Sequence, residues 1–179
     1  MIIKKNILAI SGSTRADATS NYLINAIANL YDEELNITLF KNIAALPNFN
    51  PDDDNETAAQ SVVDFRQQIQ KADGVIICTP EYAHGVPGAL KNAIDWTVSS
   101  ADFYEKPTAL ITASTDGSYG HRAMLEILKA IGAGSAEKLQ LLISFIKTKV
   151  NKDMKITHAG TLSAVKKLMQ DFIETLAEN

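Results

Sequence analysis

Three short polar segments of the chain contain most of the side chains that suit ligand binding. They are residues 11–21, 80–85 and 114–120, and each follows a short apolar run and precedes a segment with helical periodicity. In a parallel sheet such segments lie at the carboxyl ends of the strands, where open α/β proteins bind their ligands. The sequence therefore predicts a binding site made of loops at one edge of a sheet.

The first segment favours an anion, in particular a phosphate group. The N–H groups and the dipole at the start of the following helix attract negative charge, and Arg15 adds a charged, planar fork of donors. The alternative is an ordinary helix start, with Thr19 or Ser20 as the N-cap residue and a solvated Arg15. The candidate phosphate ligands in this segment are Ser13, Arg15, Thr19, Ser20 and Asn21.

Other phosphate-binding loops do not fit this segment. Gly12 has no second and third glycine at the offsets of a dinucleotide-binding loop, and a Walker A loop would need a Gly-Lys-Ser or Gly-Lys-Thr ending. An acidic pair after the first strand, as in a response regulator, is also absent from the sequence. The segment is thus a phosphate loop of another kind or a plain helix cap.

The second segment suits a flat heteroaromatic ring. Pro80 and Gly85 fix the backbone, so that its N–H and C=O groups stay available beneath a ring, with Tyr82 nearby. Glu81 and His84 can be interpreted as an acid/base pair. We favour a scaffold role, in which Glu81 holds the loop or a neighbouring subunit and His84 is a surface or interface residue. On this interpretation neither Glu81 nor His84 is a catalytic acid or base.

The third segment is the least informative of the three. Gly117 and Gly120 permit the backbone to approach a ligand closely. Asp116 and Tyr119 are typical turn residues. Taken alone, this segment predicts a turn and only its position suggests a binding role.

The apolar pattern of the chain predicts an α/β fold. Five strand patterns alternate with helical ones, without a repeat or a linker, which indicates one domain over residues 1–179 and a doubly wound, three-layer sandwich. The second strand alternates polar and apolar residues as an edge strand does, so the flavodoxin-like parallel order 2-1-3-4-5 fits best. The predicted strands are residues 7–10, 36–40, 74–78, 107–113 and 139–145, and the fourth helix is predicted over residues 123–131.

Composition excludes several classes of protein. The chain has 179 residues with 17 basic and 21 acidic side chains and no basic block, which argues against nucleic acid or an anionic membrane as a partner. The amino terminus lacks a signal-peptide pattern and no apolar run reaches the length of a membrane span. We therefore expect a soluble cytoplasmic protein with a small-molecule partner.

Neither cysteine nor acidic residues predict a metal centre. Cys78 is the single cysteine and lies inside an apolar run, so we expect a buried, inert thiol. The run Asp52 to Asp54 lacks the downstream glycine and glutamate of a calcium-binding EF-hand and is better interpreted as a solvated helix start.

Two stretches of the sequence resemble the NADPH-dependent FMN reductases, a family that includes quinone, azo-dye and chromate reductases. The family's first loop reads Gly-Ser-x-Arg, then a hydroxyl residue and an asparagine, which matches Gly12–Arg15 with Thr19, Ser20 and Asn21. Its second motif reads Pro-Glu-Tyr-Asn, a short gap and Pro-Gly-x-Leu-Lys-Asn-Ala-Ile-Asp-Trp, which matches residues 80–82 and 87–96. Together with the βα order, the resemblance covers nearly the whole chain.

The resemblance implies a flavodoxin-like fold that binds FMN. The phosphate would lie in the first loop, the ring on the backbone of the second, and the third loop near the pyrimidine side of the ring. The ring-binding positions implied in this way are Pro80, Glu81, Tyr82, Ala83 and His84 in the second loop and Ser114, Asp116 and Gly117 in the third.

The resemblance also implies an activity in which the cofactor performs the chemistry, so no catalytic side chain is predicted. NADPH or NADH would pass hydride to the bound flavin, leave, and be replaced by a quinone, a free flavin, an azo compound or a similar acceptor in ping-pong turnover. Two rivals remain: a flavodoxin-type electron carrier that does not use NAD(P)H directly, and a flavin-free regulatory or interaction protein that keeps the fold.

The sequence departs from the family pattern at two places. Ala83 stands where the family usually has asparagine, which removes a side-chain donor near the flavin, and the third loop has fewer glycines than in many relatives. Relatives commonly form dimers or tetramers, so we expect a homodimer or homotetramer. Trp96 and the pair Phe103 and Tyr104 are candidate interface residues, with core packing as the alternative for Trp96.

Overall fold

The computed structural model describes residues 4–178, which form a five-stranded parallel sheet between two helical layers. The sheet order is β2-β1-β3-β4-β5, which confirms the predicted order 2-1-3-4-5. The strands are β1 (Lys5–Ser11), β2 (Leu35–Leu39), β3 (Gly74–Thr79), β4 (Thr108–Ala113) and β5 (Gln140–Ile143). The helices are α1 (Thr19–Leu30), α2 (Gln60–Lys71), α3 (Gly88–Asp95), α4 (Ser118–Ala130) and α5 (Ala159–Glu178).

Alternation along the central strands builds two apolar cores. Along β3, Ile76 and Cys78 face the layer of α1 and α5, whereas Val75 and Ile77 face the layer of α2, α3 and α4. All six residues of β3 and all six of β4 are buried. Strands covered on both faces read as continuous apolar runs, which is why these two were clear in the sequence.

The carboxyl ends of β1, β3 and β4 lie side by side. β1 pairs with β3 through Ser11 and Cys78, and β3 pairs with β4 through Thr79 and Thr112. The three polar segments therefore leave the sheet at the same edge, as the predicted topology requires.

Two predictions about helix starts were wrong. Helix α1 begins at Thr19 with Ala18 at the N-cap position and has no side-chain cap, so neither Thr19 nor Ser20 caps it. Helix α4 begins at Ser118, five residues before the predicted start at Ala123, because Gly117, with φ of +99°, already turns the chain into the helix.

Two of the three aromatic interface candidates are core residues. Trp96 is 1% exposed and its indole N–H donates to the carbonyl of Pro47 at 2.8 Å, so the core alternative is the correct one. Phe103 is also buried, and of the pair only Tyr104 is exposed, at 63%. Within residues 4–178, no helix is both long enough and apolar enough to cross a membrane.

Candidate functional site

A cleft of about 380 Å³ opens at the carboxyl edge of the sheet. Its walls come from all three polar segments and from a fourth segment that follows β5. Eight predicted site residues line it: Ser13, Arg15, Thr19, Ser20, Pro80, Glu81, Tyr82 and Ser114. These residues come from the three polar segments that the sequence placed at the ends of its strands.

The first loop turns tightly beneath the cleft. The N–H of Gly12 donates to the carbonyl of Cys78 at 2.8 Å. A Cβ atom on Gly12 would lie 2.3 Å from Oγ1 of Thr79, so the loop passes β3 at a distance that only glycine permits. The hydroxyls of Ser11 and Ser20 lie 2.9 Å apart and join the two ends of the loop.

The start of α1 forms one end of the cleft. Among the described residues no side chain caps the first N–H groups of this helix, and Thr19 and Ser20 lie in the cleft wall. Uncapped N–H groups at the positive end of a helix dipole favour an anion. Arg15 and Asp17 are exposed on the same wall.

Asn21 supports the loop from outside the cleft. Its Nδ2 donates to the carbonyl oxygens of Ala16 at 3.3 Å and Arg15 at 3.5 Å. Asn21 lines a separate surface hollow behind the loop and does not line the cleft. The structure therefore gives this predicted ligand a bracing contact with the loop.

The second loop is a tight turn joined to the first. Tyr82 and Gly85 exchange backbone hydrogen bonds of 3.1 and 2.9 Å, with Ala83 and His84 at φ of +48° and +58° between them. Positive φ at both central residues is the pattern of a type I′ turn. The hydroxyls of Tyr82 and Ser13 lie 3.3 Å apart and connect the two loops.

Two side chains of the second loop are held by α4. The carboxylate of Glu81 accepts a hydrogen bond from the N–H of Gly120 at 2.7 Å, and the ring of His84 stacks on that of Tyr119, with centroids 4.4 Å apart and planes 3° from parallel. These contacts match the scaffold interpretation of Glu81 and the surface interpretation of His84. Neither Ala83 nor His84 lines the cleft.

The third loop contributes its first residues to the cleft. Ser114 lines the wall, and its Oγ accepts from the N–H of Glu81 at 3.3 Å. Asp116 and Gly117 lie outside the lining and shape the turn. The Asp116 carbonyl accepts from the Ser144 hydroxyl at 2.9 Å, and Gly117 has no room for a Cβ because Leu142 would lie 2.8 Å from it.

The segment after β5 was missed in the sequence. Phe145, Ile146, Lys147 and Thr148 line the cleft beside Ser114 and Thr115. Its position follows from the sheet order, since β5 lies next to β4 and ends at the same edge. The predicted order 2-1-3-4-5 was the signal that could have identified this fourth wall.

The donor set of the cleft fits FMN. Hydroxyl groups, the uncapped start of α1 and two cationic side chains suit a phosphate, and the backbone of 80–82 with Ser114 suits a polar ring edge. Cys78 takes no part, because complete burial raises the pKa of its thiol to about 12. Among residues 4–178, no three His, Cys, Asp or Glu side chains converge in a way that would hold a metal ion.

Comparisons with known proteins agree with this arrangement. Residues 5–146 match the family described as NADPH-dependent FMN reductase. The NADH-dependent flavin reductase subunit 2 of Lactobacillus johnsonii is 33% identical over 129 residues, which is 70% of this chain and 68% of the relative. A quinone reductase of Escherichia coli is 29% identical over 166 residues, covering 89% of this chain and 88% of the relative.

Solved structures show the same fold. The flavoenzyme NAD(P)H:(acceptor) oxidoreductase FerB of Paracoccus denitrificans superposes with a TM-score of 0.80 at 24% identity, over 97% of this chain and 98% of its own. The match over residues 5–146 includes the five strands, helices α1 to α4 and the loops of the three polar segments. The chain is a member of the NADPH-dependent FMN reductase family.

Proposed function

We propose that this chain is an FMN-dependent NAD(P)H oxidoreductase that reduces a quinone, a free flavin, an azo compound or a similar small acceptor. Membership of the family gives the class of enzyme and the cofactors FMN and NAD(P)H. The observation that carries the proposal is the cleft itself, in which polar loops from three adjacent parallel strands surround a space suited to a phosphate and a flat ring.

The phosphate subsite lies at the start of α1 in this proposal. Ser13, Thr19 and Ser20 offer hydroxyl groups, and Arg15 supplies charge. The hydrogen bond of 2.9 Å between the hydroxyls of Ser11 and Ser20 stabilises the loop before a ligand binds. A preorganised loop loses less conformational entropy on binding, which favours affinity.

The ring subsite lies along the second and third loops. Pro80 and the backbone of Glu81 and Tyr82 form its floor, and Ser114 lies at its edge. The hydrogen bond from the N–H of Gly120 to Glu81 holds this part of the second loop against α4. FMN, when bound, supplies the redox chemistry by accepting hydride from NAD(P)H and giving electrons to the acceptor.

The protein residues have positioning tasks in this scheme. The Glu81 carboxylate accepts from a backbone N–H, and the His84 ring stacks on Tyr119 outside the cleft lining, so the two do not form a free acid/base pair in the cleft. Tyr82 lines the cleft and is 49% exposed, and in this proposal the ring subsite is open to solvent on one side. One open side supports alternate occupation by donor and acceptor, that is, ping-pong turnover.

The proposal also includes an oligomeric state and a cellular location. A homodimer or homotetramer is supported by exposed apolar side chains near the cleft and after α3, namely Tyr82, Tyr119, Val98 and Tyr104. A cytoplasmic location is supported by a single cysteine that is buried as a thiol, as in proteins of reducing compartments.

An absorption experiment tests the function directly. Purified protein is mixed with FMN, and the visible spectrum is recorded before and after anaerobic NADPH or NADH, then after addition of a quinone. We expect a bound-flavin spectrum that bleaches with the nicotinamide and returns with the quinone. A bound flavin that does not bleach would indicate an electron carrier, and the absence of bound flavin would indicate a flavin-free regulatory protein.

A further inference from the structure

The charges of the first loop do not balance those of the ligand that the cleft is proposed to hold. A phosphate monoester carries about −1.5 to −2 charges at pH 7. Arg15 brings one positive charge to the cleft wall, and Asp17 brings a negative charge two residues later. Glu81 adds a second carboxylate to the lining, although it is engaged by Gly120. Beyond the uncapped start of α1, a further cation would stabilise a phosphate in this cleft.

Lys147 is such a cation. It lines the cleft from the segment that follows β5 and is exposed. Within residues 4–178 its ammonium group has no ion pair and no hydrogen bond, whereas Lys129 and Lys167 each pair with a carboxylate. The charge of Lys147 is thus available to a ligand.

The backbone around Lys147 is fixed against the third loop. The N–H of Phe145 donates to the carbonyl of Thr115 at 3.0 Å, and that of Ile146 donates to the carbonyl of Ser114 at 3.2 Å. The side chain of Ile146 is 3% exposed and belongs to the core shared with α1 and α5. Lys147 therefore extends from a rigid base, and only its flexible side chain has to reorganise.

We propose that Lys147 is the second phosphate-binding cation of the FMN site. The phosphate would lie between Arg15 of the first loop and Lys147 of the segment after β5. This inference rests on the proposed FMN site and adds to it a residue outside the three loops of the sequence motifs. Its consequence is selectivity for FMN over riboflavin, which has the same ring and ribityl chain but no phosphate.

Fluorescence titrations with FMN and with riboflavin test this role. Lys147→Gln should raise the Kd for FMN about tenfold, the effect of losing one charge-assisted hydrogen bond, and should leave the Kd for riboflavin unchanged. Lys147→Arg should keep FMN affinity near that of the wild type. Lys152→Gln makes the same change of net charge on an exposed turn outside the cleft and serves as the matched control.

Each other outcome counts against the proposal. If wild-type protein binds FMN and Lys147→Gln binds it equally well, the role of Lys147 is overturned while the proposed function stands. Equal losses for FMN and riboflavin would show that the substitution acts through the loop structure. A raised KM for NADPH but not NADH, with FMN affinity intact, would assign the cation to the donor's phosphate. Wild-type protein that binds no flavin would overturn both proposals.

Discussion

Glu81 and Gly120 are joined by a hydrogen bond in which the backbone N–H of Gly120 lies 2.7 Å from Oε2 of Glu81. The bond connects the second loop to the first turn of α4. A Cβ on Gly120 would lie 3.1 Å from the side chain of Glu81 and from the carbonyl of Gly85, so a larger residue would crowd both groups. Glu81 is therefore part of the wall that positions the ring subsite.

Substitution of Glu81 separates its structural role from a chemical one. Glu81→Ala should lower the free energy of unfolding by about 1–3 kcal/mol, because the N–H of the buried Gly120 loses its acceptor, and should weaken FMN binding. Glu81→Gln keeps an oxygen acceptor at the same place and should retain most of the stability and most of the FMN affinity. Urea unfolding and FMN titration measure the two effects. A Gln variant that is stable and binds FMN but turns over as poorly as the Ala variant would instead indicate a role for the carboxylate in the reaction.

Arg15 is the cation that the first motif predicts at the phosphate. Arg15→Ala should raise the Kd for FMN about tenfold, because a charge-assisted contact is lost, with little effect on riboflavin. Arg15→Lys keeps the charge but loses the planar fork, so its Kd should lie between those of the wild type and Arg15→Ala. Unchanged FMN affinity in Arg15→Ala would show that the phosphate lies elsewhere.

Cys78 should be unreactive in the folded protein. Its side chain is fully buried in β3, and burial raises the pKa of the thiol to about 12, so almost none is thiolate at pH 8. A thiol reagent such as Ellman's should label no cysteine in the native protein and one after unfolding in urea. Cys78→Ala should keep reductase activity. Rapid labelling of native protein, or loss of FMN reduction in a folded Cys78→Ala variant, would contradict this.

Much of the fold was predictable because the strands and the loops at their ends are neighbours in the chain. β3 and β4 are continuous buried runs, and each ends directly in a polar turn. A loop residue such as Ser13 or Tyr82 could therefore be placed at the sheet edge from its distance to a strand. The match to the family's motifs then pointed to the same loops.

The missed residues depend on contacts between segments that are far apart in the chain. Lys147 follows β5, which was predicted to run to residue 145 but ends at Ile143, so the turn that contains Lys147 was not among the polar segments considered. Trp96 donates a hydrogen bond to the carbonyl of Pro47, 49 residues away in the chain. The local sequence pattern around Trp96 does not predict that contact. Asn21 matches a motif position, but its amide turns towards the carbonyl oxygens of its own loop. The positions of these side chains are determined by packing and hydrogen bonds between distant segments.

Replacement of Gly12 by alanine is predicted to destabilise the protein, whereas the same replacement of Gly88 is not. A Cβ on Gly12 would lie 2.3 Å from Oγ1 and 2.7 Å from Cβ of Thr79, so Gly12→Ala has to displace β3 or the loop. We expect a loss of about 1–3 kcal/mol in the free energy of unfolding, typical of overpacking, together with weaker FMN binding. Gly88→Ala is the control, since nothing lies within 4 Å of its added Cβ and alanine favours the helix. Urea unfolding of both variants would contradict the prediction if Gly12→Ala were as stable as Gly88→Ala.

Ala83 is predicted to be a suboptimal residue in its turn. It has φ of +48° between the hydrogen-bonded Tyr82 and Gly85. Residues other than glycine, asparagine and aspartate adopt this region at a cost of about 1 kcal/mol. Ala83→Asn should therefore raise the free energy of unfolding by about 0.5–1 kcal/mol, because asparagine tolerates the left-handed region and Ala83 is exposed.

The β-branched Ala83→Val is the opposite control and should lower stability, since Val resists positive φ more strongly than alanine does. FMN titration of the same variants separates strain from ligand contact. If the asparagine restores a donor near the ring, as the family motif suggests, Ala83→Asn should also bind FMN more tightly. A gain in stability without a gain in affinity would show that position 83 shapes the turn and does not contact the flavin. A fall in stability for Ala83→Asn would refute the assignment of strain to this turn.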